Sequence, residues 1–187
     1  MKIAECLLES ISPYSQSRYY EPVKKDRETS AAVEERTWRE RCNADSDGRI
    51  FIPPMAFANN IKQAASYLGL SVPGKGQTKY AKFFESGVLV PEALTLPVLK
   101  AEVEGEWLMV PSDGKVGGGK RVKKCFPLIR QWGGRVIYYI LDDIITETVF
   151  RQTIDYAGNI IGIGRFRPTR RGYYGRFKVQ SVEWIEG

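Results

Sequence analysis

The segment GIGRFRPTRRGYYGRF, residues 162–177, combines residue types that bind a polyanion. It contains five arginines, four glycines and two adjacent tyrosines, and it has no acidic residue. Guanidinium groups grip phosphates or stack on bases, and glycine lets backbone amides approach an anionic strand closely. Tyrosine rings offer faces on which bases stack. The segment therefore predicts contact with nucleic acid through Gly162, Gly164, Arg165, Arg167, Arg170, Arg171, Tyr173, Tyr174 and Arg176.

The sequence does not decide which of the two tyrosines is exposed or what the arginines contact. Because side chains alternate along a strand, we expect one of Tyr173 and Tyr174 to be exposed for stacking and the other to be buried. The alternative to nucleic-acid contact is a surface whose arginines pair with carboxylates elsewhere in the fold.

A second basic stretch, GKVGGGKRVKK at residues 114–124, begins with the G-x-x-x-x-G-K spacing of a phosphate-binding loop. That reading fails because Arg121 stands where a serine or threonine should hold magnesium, and Pro127 would interrupt the following helix. We predict instead a flexible hairpin tip whose cations grip phosphates without reading sequence, or else a merely solvated loop. The cations are Lys115, Lys120, Arg121, Lys123 and Lys124.

The N-terminal loop offers a second interleaving of basic and aromatic residues around Tyr19 and Tyr20. Its acidic residues Glu21, Asp26 and Glu28 dilute the positive charge. The basic residues that we predict to contact nucleic acid here are Arg18, Lys24, Lys25 and Arg27.

The residue types available for catalysis are few. The chain has no histidine, which excludes Ser-His-Asp and Cys-His sites. Its three cysteines are odd in number and far apart, so we expect reduced thiols without a disulfide or metal site. We therefore predict no enzyme, no cofactor and no metal.

Acidic pairs leave one weaker alternative, a metal-dependent nuclease. Asp45 and Asp47 precede Gly48 in a turn, and Asp142 and Asp143 stand between a strand and a helix. Turn formation and helix capping account for both pairs. A nuclease would need Asp142, Asp143 or Asp45 as ligands, together with a third partner that the sequence does not identify.

The elements that must position these residues follow from periodicity and turn residues. We predict strands at 2–10, 48–54, 135–142 and 174–185, helices at 30–42, 54–69 and 145–159, and a hairpin or meander insertion at about 71–126. This order allows two β-α-β units to share one sheet, as in a ferredoxin-like α+β sandwich with an insertion. With 187 residues, 43% of them hydrophobic, we expect one domain spanning 1–187.

Three segments resemble the repeat-associated mysterious protein (RAMP) superfamily, especially the backbone subunits of CRISPR effector complexes. They are KIAECLLES, DGRIFIPPMAFANNIKQAA and AGNIIGIGRFRPTRRGYYGRF. The resemblance implies a modified ferredoxin-like (RRM-like) core, a thumb-like hairpin, and single-stranded RNA bound along a groove by many copies in a row. It places Gly162, Gly164, Arg165, Arg167, Arg170, Arg171 and Tyr174 toward the RNA.

The chain also departs from that superfamily. Processing members often use a histidine, so the resemblance does not imply RNA cutting here. The chain is shorter than most backbone subunits, which leaves a stand-alone relative open, such as a phage-type single-strand binder or an inhibitor.

These observations together predict a non-enzymatic, cytoplasmic protein with a net charge of +6 that binds single-stranded nucleic acid, RNA preferred. Its other partners would be copies of itself or further subunits of a nucleoprotein complex. No apolar run or leader indicates a membrane. The alternative is a protein-binding module or decoy acting on a nucleoprotein assembly.

Overall fold

The computed structural model describes residues 1–114, 117 and 119–187. The chain is an α+β protein with antiparallel sheets and four α-helices over these residues. The elements in chain order are β1 (Lys2–Ser10), β2 (Tyr14–Ser15), α1 (Ser30–Thr37), β3 (Arg49–Ile52), α2 (Pro54–Leu68), α3 (Ala81–Gly87), β4 (Val88–Leu89), β5 (Leu94–Leu99), β6 (Glu104–Pro111), β7 (Arg121–Ile129), β8 (Gly133–Ile140), α4 (Glu147–Tyr156) and β9 (Phe177–Glu186).

The main sheet has the strand order β4-β8-β1-β9, and every neighbouring pair is antiparallel. Alternation along β1 separates its two faces, since Ala4, Cys6 and Leu8 are buried whereas Leu7 is 47% exposed. The α4 side chain Phe150 packs on the buried face, with its ring centroid 5.4 Å from that of Tyr138.

Helix α2 confirms the helical periodicity of its sequence. Phe57, Ile61 and Ala64 are fully buried, and Pro54 occupies the first turn, where its missing N–H costs nothing. The helix ends at Gly69, whose φ of 58° is left-handed, a conformation that glycine adopts readily.

Residues 71–126, which we expected to form one insertion, contribute elements to different sheets of the fold. The middle of this segment forms α3 and β4, and β4 joins the edge of the main sheet through Val88, opposite Ile140. Phe84 and Val88 are fully buried, so burial of apolar surface explains why this part belongs to the core. The hairpin proper consists of β6 and β7, which form a second sheet with β2; β3 and β5 form a third.

The three cysteines are free and buried. Burial raises the pKa of the Cys6 thiol to about 12 and that of the Cys125 thiol to about 11. Within the described ranges, no helix combines the length and apolar character that crossing a membrane requires.

Candidate nucleic-acid interface

The arginine-rich segment forms an ordered loop between α4 and β9, which we call the arginine loop, residues 162–176. Its ends are joined by the N–H of Ile163, which donates to the carbonyl of Gly175 at 3.0 Å. The N–H of Tyr174 donates to the carbonyl of Phe166 at 2.9 Å, and the N–H of Arg165 donates to the carbonyl of Ser15 at 2.8 Å. These hydrogen bonds fix the loop before any ligand binds.

The glycines of the arginine loop are required by the protein's own packing. Gly175 has a φ of 70°, and a Cβ there would lie 1.9 Å from the carbonyl oxygen of Ile163. A Cβ on Gly164 would lie 2.5 Å from the carbonyl oxygen of Ser15. The sequence pattern suggested close approach of an anionic strand, whereas the approaching backbone at these two positions is that of the chain itself.

Arg165 lies inside the structure, with its side chain 13% exposed. Its guanidinium carbon is 3.5 Å from the ring centroid of Phe126 and 3.9 Å from that of Phe166. Its Nη1 lies 3.8 Å from Oε2 of Glu106 on β6. Burial lowers the pKa of Arg165 to about 10. Arg165 therefore joins the arginine loop to the hairpin, which is a different position from the exposed phosphate contact that the sequence suggested.

One of the two adjacent tyrosines is exposed and the other is buried, as expected. Tyr173 is 60% exposed and Tyr174 is 8% exposed, and their ring centroids lie 4.8 Å apart. The Tyr174 hydroxyl donates to Oε1 of Glu106 at 2.7 Å, and burial together with this carboxylate raises the pKa of Tyr174. The division arises in a turn, because β9 begins only at Phe177.

Two arginines at the tip of the arginine loop are exposed. Arg170 ends a 3₁₀ turn that begins at Pro168, and Arg171 follows with a left-handed φ of 62°. Among the described residues, neither guanidinium has an ion-pair partner. Arg167 is half-buried and donates from Nη1 to the carbonyl of Gly164 at 2.9 Å, while Arg176 donates from Nε to the carbonyl of Asn159 at 2.8 Å. Burial lowers the pKa of Arg167.

The arginine loop separates two clefts. The first, which we call the aromatic cleft, has a volume of about 330 Å³ and lies between the loop and β6. Its lining includes Leu108, Val110, Phe166, Arg171 and Tyr173. Its walls are mainly apolar and aromatic, and both Arg171 and Glu106 also line it, so this cleft can take a flat base.

The second cleft, which we call the amide cleft, has a volume of about 420 Å³. It lies between the arginine loop, the first turns of α2 and the residues that follow β2. Arg18 and Arg167 line it, as do Gly162 and Gly164. The arginine loop contributes residues to both clefts, so it brings cations and aromatic rings next to each of them.

The remaining N-terminal cations do not line either cleft. Lys24, Lys25 and Arg27 are exposed in the loop between β2 and α1. Arg27 lies 4.0 Å from Asp26, and the Lys25 N–H donates to Glu28. Of the basic residues predicted in this loop, the structure brings only Arg18 to a cleft.

The hairpin cations also separate into two groups. Lys120, Arg121 and Lys123 are exposed, and the Lys123 ammonium lies 4.6 Å from the Trp107 ring centroid. Lys124 instead forms an ion pair of 2.9 Å with the buried carboxylate of Glu34. The predicted contact at Lys115 lies outside the described residues.

The acidic residues weighed as metal ligands have structural partners. Asp142 accepts a hydrogen bond from the Ile144 N–H, and Asp45 accepts one from the Arg49 N–H, each at 2.9 Å. Asp143 lies 3.4 Å from the ammonium group of Lys2. Where the structure is described, no three carboxylate or thiol side chains are grouped as a metal site would need.

Sequence reasoning missed the polar side chains of the amide cleft. Gln16, Asn43 and Asn60 come from three distant segments, so spacing along the chain could not group them. One signal was present, because Asn60 falls on the buried stripe of α2 beside Phe57 and Ile61. A polar residue in an apolar stripe needs a partner, and it therefore marks a structural or binding position.

Comparisons with known proteins place the fold. No family model matches the chain, and no curated protein sequence matches it. Solved structures do match the fold of this chain. One of them is a chain in the cryo-EM structure of the Type III-B Cmr-beta bound to cognate target RNA, with a TM-score of 0.54 and 15% sequence identity. The alignment covers 99% of this chain and 61% of the matched chain, so this chain spans less than two thirds of the matched chain's length.

Proposed function

We propose that this chain is a non-enzymatic protein that binds single-stranded nucleic acid, preferably RNA, across the arginine loop and the two clefts beside it. The observation that carries the proposal is the position of Arg170, Arg171 and Tyr173. Two exposed cations without ion-pair partners among the described residues stand beside an exposed ring on a loop that is already ordered. Such a surface grips phosphates and stacks bases without reading sequence.

The topology supports a modified ferredoxin-like core of the RAMP type. The main-sheet elements follow one another as β1, α2, β4, β8, α4 and β9, which is a β-α-β-β-α-β order. The sheet order β4-β8-β1-β9 interleaves the two β-α-β units. In this interpretation the β6–β7 hairpin acts as the thumb. The similar chain in an RNA-bound assembly supports RNA as the strand.

The contacts of each residue refine its proposed role. Arg18, Arg167, Arg170 and Arg171 would hold phosphates, because they border the clefts or the exposed loop tip. Tyr173 and Phe166 would stack bases, since they are 60% and 40% exposed. Arg165, Tyr174 and Lys124 would position the loop and hairpin. The exposed cations Lys120, Arg121 and Lys123 would extend the grip along the thumb.

Binding should be tested with short labelled single-stranded RNA, single-stranded DNA and duplex of equal length, by fluorescence anisotropy over a range of salt concentrations. We expect the tightest binding for single-stranded RNA, with log K falling linearly as log salt rises. The same strands should remain intact with magnesium or manganese present. Equal affinity for duplex and single strands would contradict the stacking part of the proposal, and cleavage lost in Asp142→Ala would favour the nuclease.

Exposed apolar side chains on one face of the main sheet support association with copies of the chain or with other subunits. Leu7, Leu89 and Ile185 are 47%, 45% and 38% exposed, and the strand register places them on the sheet face opposite the buried Ala4 and Cys6. We expect the sedimentation coefficient of the purified protein to rise with concentration, and Leu7→Glu to reduce that rise. A protein-binding module or decoy is the better account if no strand binds while this association persists.

A further inference from the structure

The amide cleft differs chemically from an ordinary phosphate-binding surface. Besides Arg18, Arg165 and Arg167, it carries five carboxamide side chains: Gln16, Asn43, Asn59, Asn60 and Gln63. No carboxylate lines it among the residues that the structure describes. A carboxamide offers a donor and an acceptor together, and it has no charge with which to attract a phosphate. Five of them make a lining suited to a ligand with its own donors and acceptors.

The orientation of Asn60 is fixed by two backbone carbonyls. Its Nδ2 donates to the carbonyl oxygens of Ala157 and Gly162, each at 2.9 Å. These bonds use both amide hydrogens, so Oδ1 is the atom left to accept. Within the described part of the chain Oδ1 has no hydrogen-bond partner, although Asn60 is only 3% exposed. Oδ1 is itself shielded from solvent, so a ligand must displace the side chains that cover it in order to donate to it. That hydrogen bond would then remove the cost of a buried, unpaired acceptor.

Gln16 supplies the complementary atom. Its Oε1 accepts from Nδ2 of Asn43 at 2.8 Å, which leaves Nε2 as the free end of the amide. Gln16 is 3% exposed, and its Nε2 finds no acceptor among the described residues. The lining residues of one cleft therefore include an unpaired acceptor on Asn60 and an unpaired donor on Gln16.

The chemistry of the lining selects among possible occupants. A phosphodiester group of the strand offers only acceptors, so it would leave the Asn60 oxygen unpaired. A cation could meet that oxygen, but Arg18 and Arg167 repel it. A nucleobase carries donors and acceptors on one edge, and it is attached to the phosphates that the arginines attract. Met55, which is 59% exposed, also lines the cleft and offers an apolar surface to the face of a base.

We propose that the amide cleft receives one base of the bound strand and that Asn60 and Gln16 read its edge. This inference rests on the proposed binding of single strands and adds base selectivity to it. At most positions the strand is held through phosphates and stacking, which tolerate any sequence. At the amide cleft, a base binds better than the others if it donates to Asn60 Oδ1 and accepts from Gln16 Nε2 at the same time.

The test compares short oligo(A), oligo(C), oligo(U) and alternating G/U RNA strands of equal length at one salt concentration, using the purified full chain. We expect one strand to bind about ten-fold more tightly than the weakest, as a bidentate base contact provides. Stacking also produces base preferences, so the comparison is repeated with Tyr173→Ala. The part of the preference that arises at the amide cleft should persist in that variant.

Two variants of Gln16 locate the preference. Gln16→Met removes the free donor with little change in side-chain size, and Gln16→Glu replaces Nε2 by an oxygen while keeping an acceptor for Asn43. Each should bring the affinities of the base-bearing strands closer together. A strand of abasic ribose phosphates carries the same backbone charges, and Gln16→Met should leave its affinity and salt slope unchanged. The thermal melting midpoint of each variant shows whether it is folded.

The outcomes separate the two levels of the proposal. If no strand binds, both the proposed function and the amide cleft inference are overturned. If strands bind with the expected salt dependence but a base preference is absent, or remains intact in a folded Gln16 variant, only the inference is overturned. Because the wild-type comparison needs no substitution, equal affinity for all four strands is decisive even if both variants fail to fold.

Discussion

The guanidinium carbon of Arg165 lies 3.5 Å from the ring centroid of Phe126, and this contact joins the arginine loop to strand β7 of the hairpin. Arg41 lies 5.2 Å from the same ring and 5.2 Å from the Tyr20 ring. Rings and guanidinium groups thus alternate from the N-terminal loop to Phe166. An arginine in such a stack gains cation–π attraction because its surroundings are desolvated. The stack fixes the position of the loop whose tip presents Arg170 and Arg171.

Replacing Arg165 should therefore affect folding before it affects binding. Arg165→Met leaves the Glu106 carboxylate without its cation in a poorly hydrated position, and we expect a loss of about 3 kcal/mol in the free energy of unfolding. Urea denaturation measures this loss. Adding Glu106→Gln removes the uncompensated charge, so the double variant should recover part of the stability. A fully stable Arg165→Met protein with weakened RNA binding would mean that Arg165 contacts the strand directly.

Glu34 is expected to make stability depend on pH in the acid range. It accepts hydrogen bonds from Arg41 at 2.7 Å, from Lys124 at 2.9 Å and from the Cys125 N–H at 2.9 Å. Burial alone would raise the pKa of Glu34, but these bonds outweigh it and hold the pKa below the usual value of 4.5. A carboxylate with a lowered pKa in the folded state contributes stability above its unfolded pKa and loses it as pH falls.

The corresponding variant is Glu34→Gln. We expect it to lose about 3 kcal/mol at neutral pH, because the buried Arg41 then lacks its ion pair. Since the titrating group is gone, its stability should change less than that of the wild type below pH 4.5. Denaturation curves at neutral and acid pH measure both effects. If the free energy of unfolding of both proteins fell in parallel as pH was lowered, Glu34 would not be the group that makes stability depend on acid pH.

Two glycine substitutions test whether the fixed shape of the arginine loop matters. A Cβ on Gly172 would lie 1.8 Å from the carbonyl oxygen of Phe166, whereas a Cβ on Gly119 would meet no atom of the described residues within 4 Å. Gly172→Ala should lower stability by about 1–3 kcal/mol through overpacking and should weaken RNA binding. Gly119→Ala should change neither. The prediction fails if both variants melt and bind like the wild type.

The two adjacent tyrosines should respond differently to alanine. Tyr173→Ala removes an exposed ring and should cost about 1–3 kcal/mol of binding free energy with little change in the salt slope, if a base stacks there. Tyr174→Ala removes a buried ring together with the hydrogen bond to Glu106, so it should lower the free energy of unfolding by about 3 kcal/mol. Anisotropy titrations and denaturation curves separate the two effects. Reversed results would place the base on Tyr174.

Regular elements could be predicted from the sequence because their signals are local. The period of Phe57, Ile61 and Ala64 and the stop at Gly69 define α2 without knowledge of the rest of the fold. Helix α3 was missed because it has only seven residues, too few to establish a helical period. Strand β4 has two residues, and its place in the main sheet depends on pairing with β8, a non-local contact.

The candidate site could be predicted only in part, for the same reason. The lack of acidic residues within 162–177 marked the segment, but it could not show that Glu106 pairs with Arg165 from another strand. Arg165 and Arg170 look alike in sequence, although one is buried between rings and the other is exposed. The amide cleft depends on three segments meeting in space, and no spacing along the chain records that meeting.

The most direct test of the central claim is the salt dependence of RNA binding in two variants that lose the same positive charge. Arg170→Ala with Arg171→Ala removes the exposed tip of the arginine loop. Lys75→Ala with Lys82→Ala removes two exposed cations that border neither cleft. Each phosphate contact on a single strand contributes about 0.7 to the slope of log K against log salt. The account predicts that the loop variant has a slope smaller in magnitude by about 1.4, with the control unchanged. Equal slopes for the wild type and both variants would contradict it.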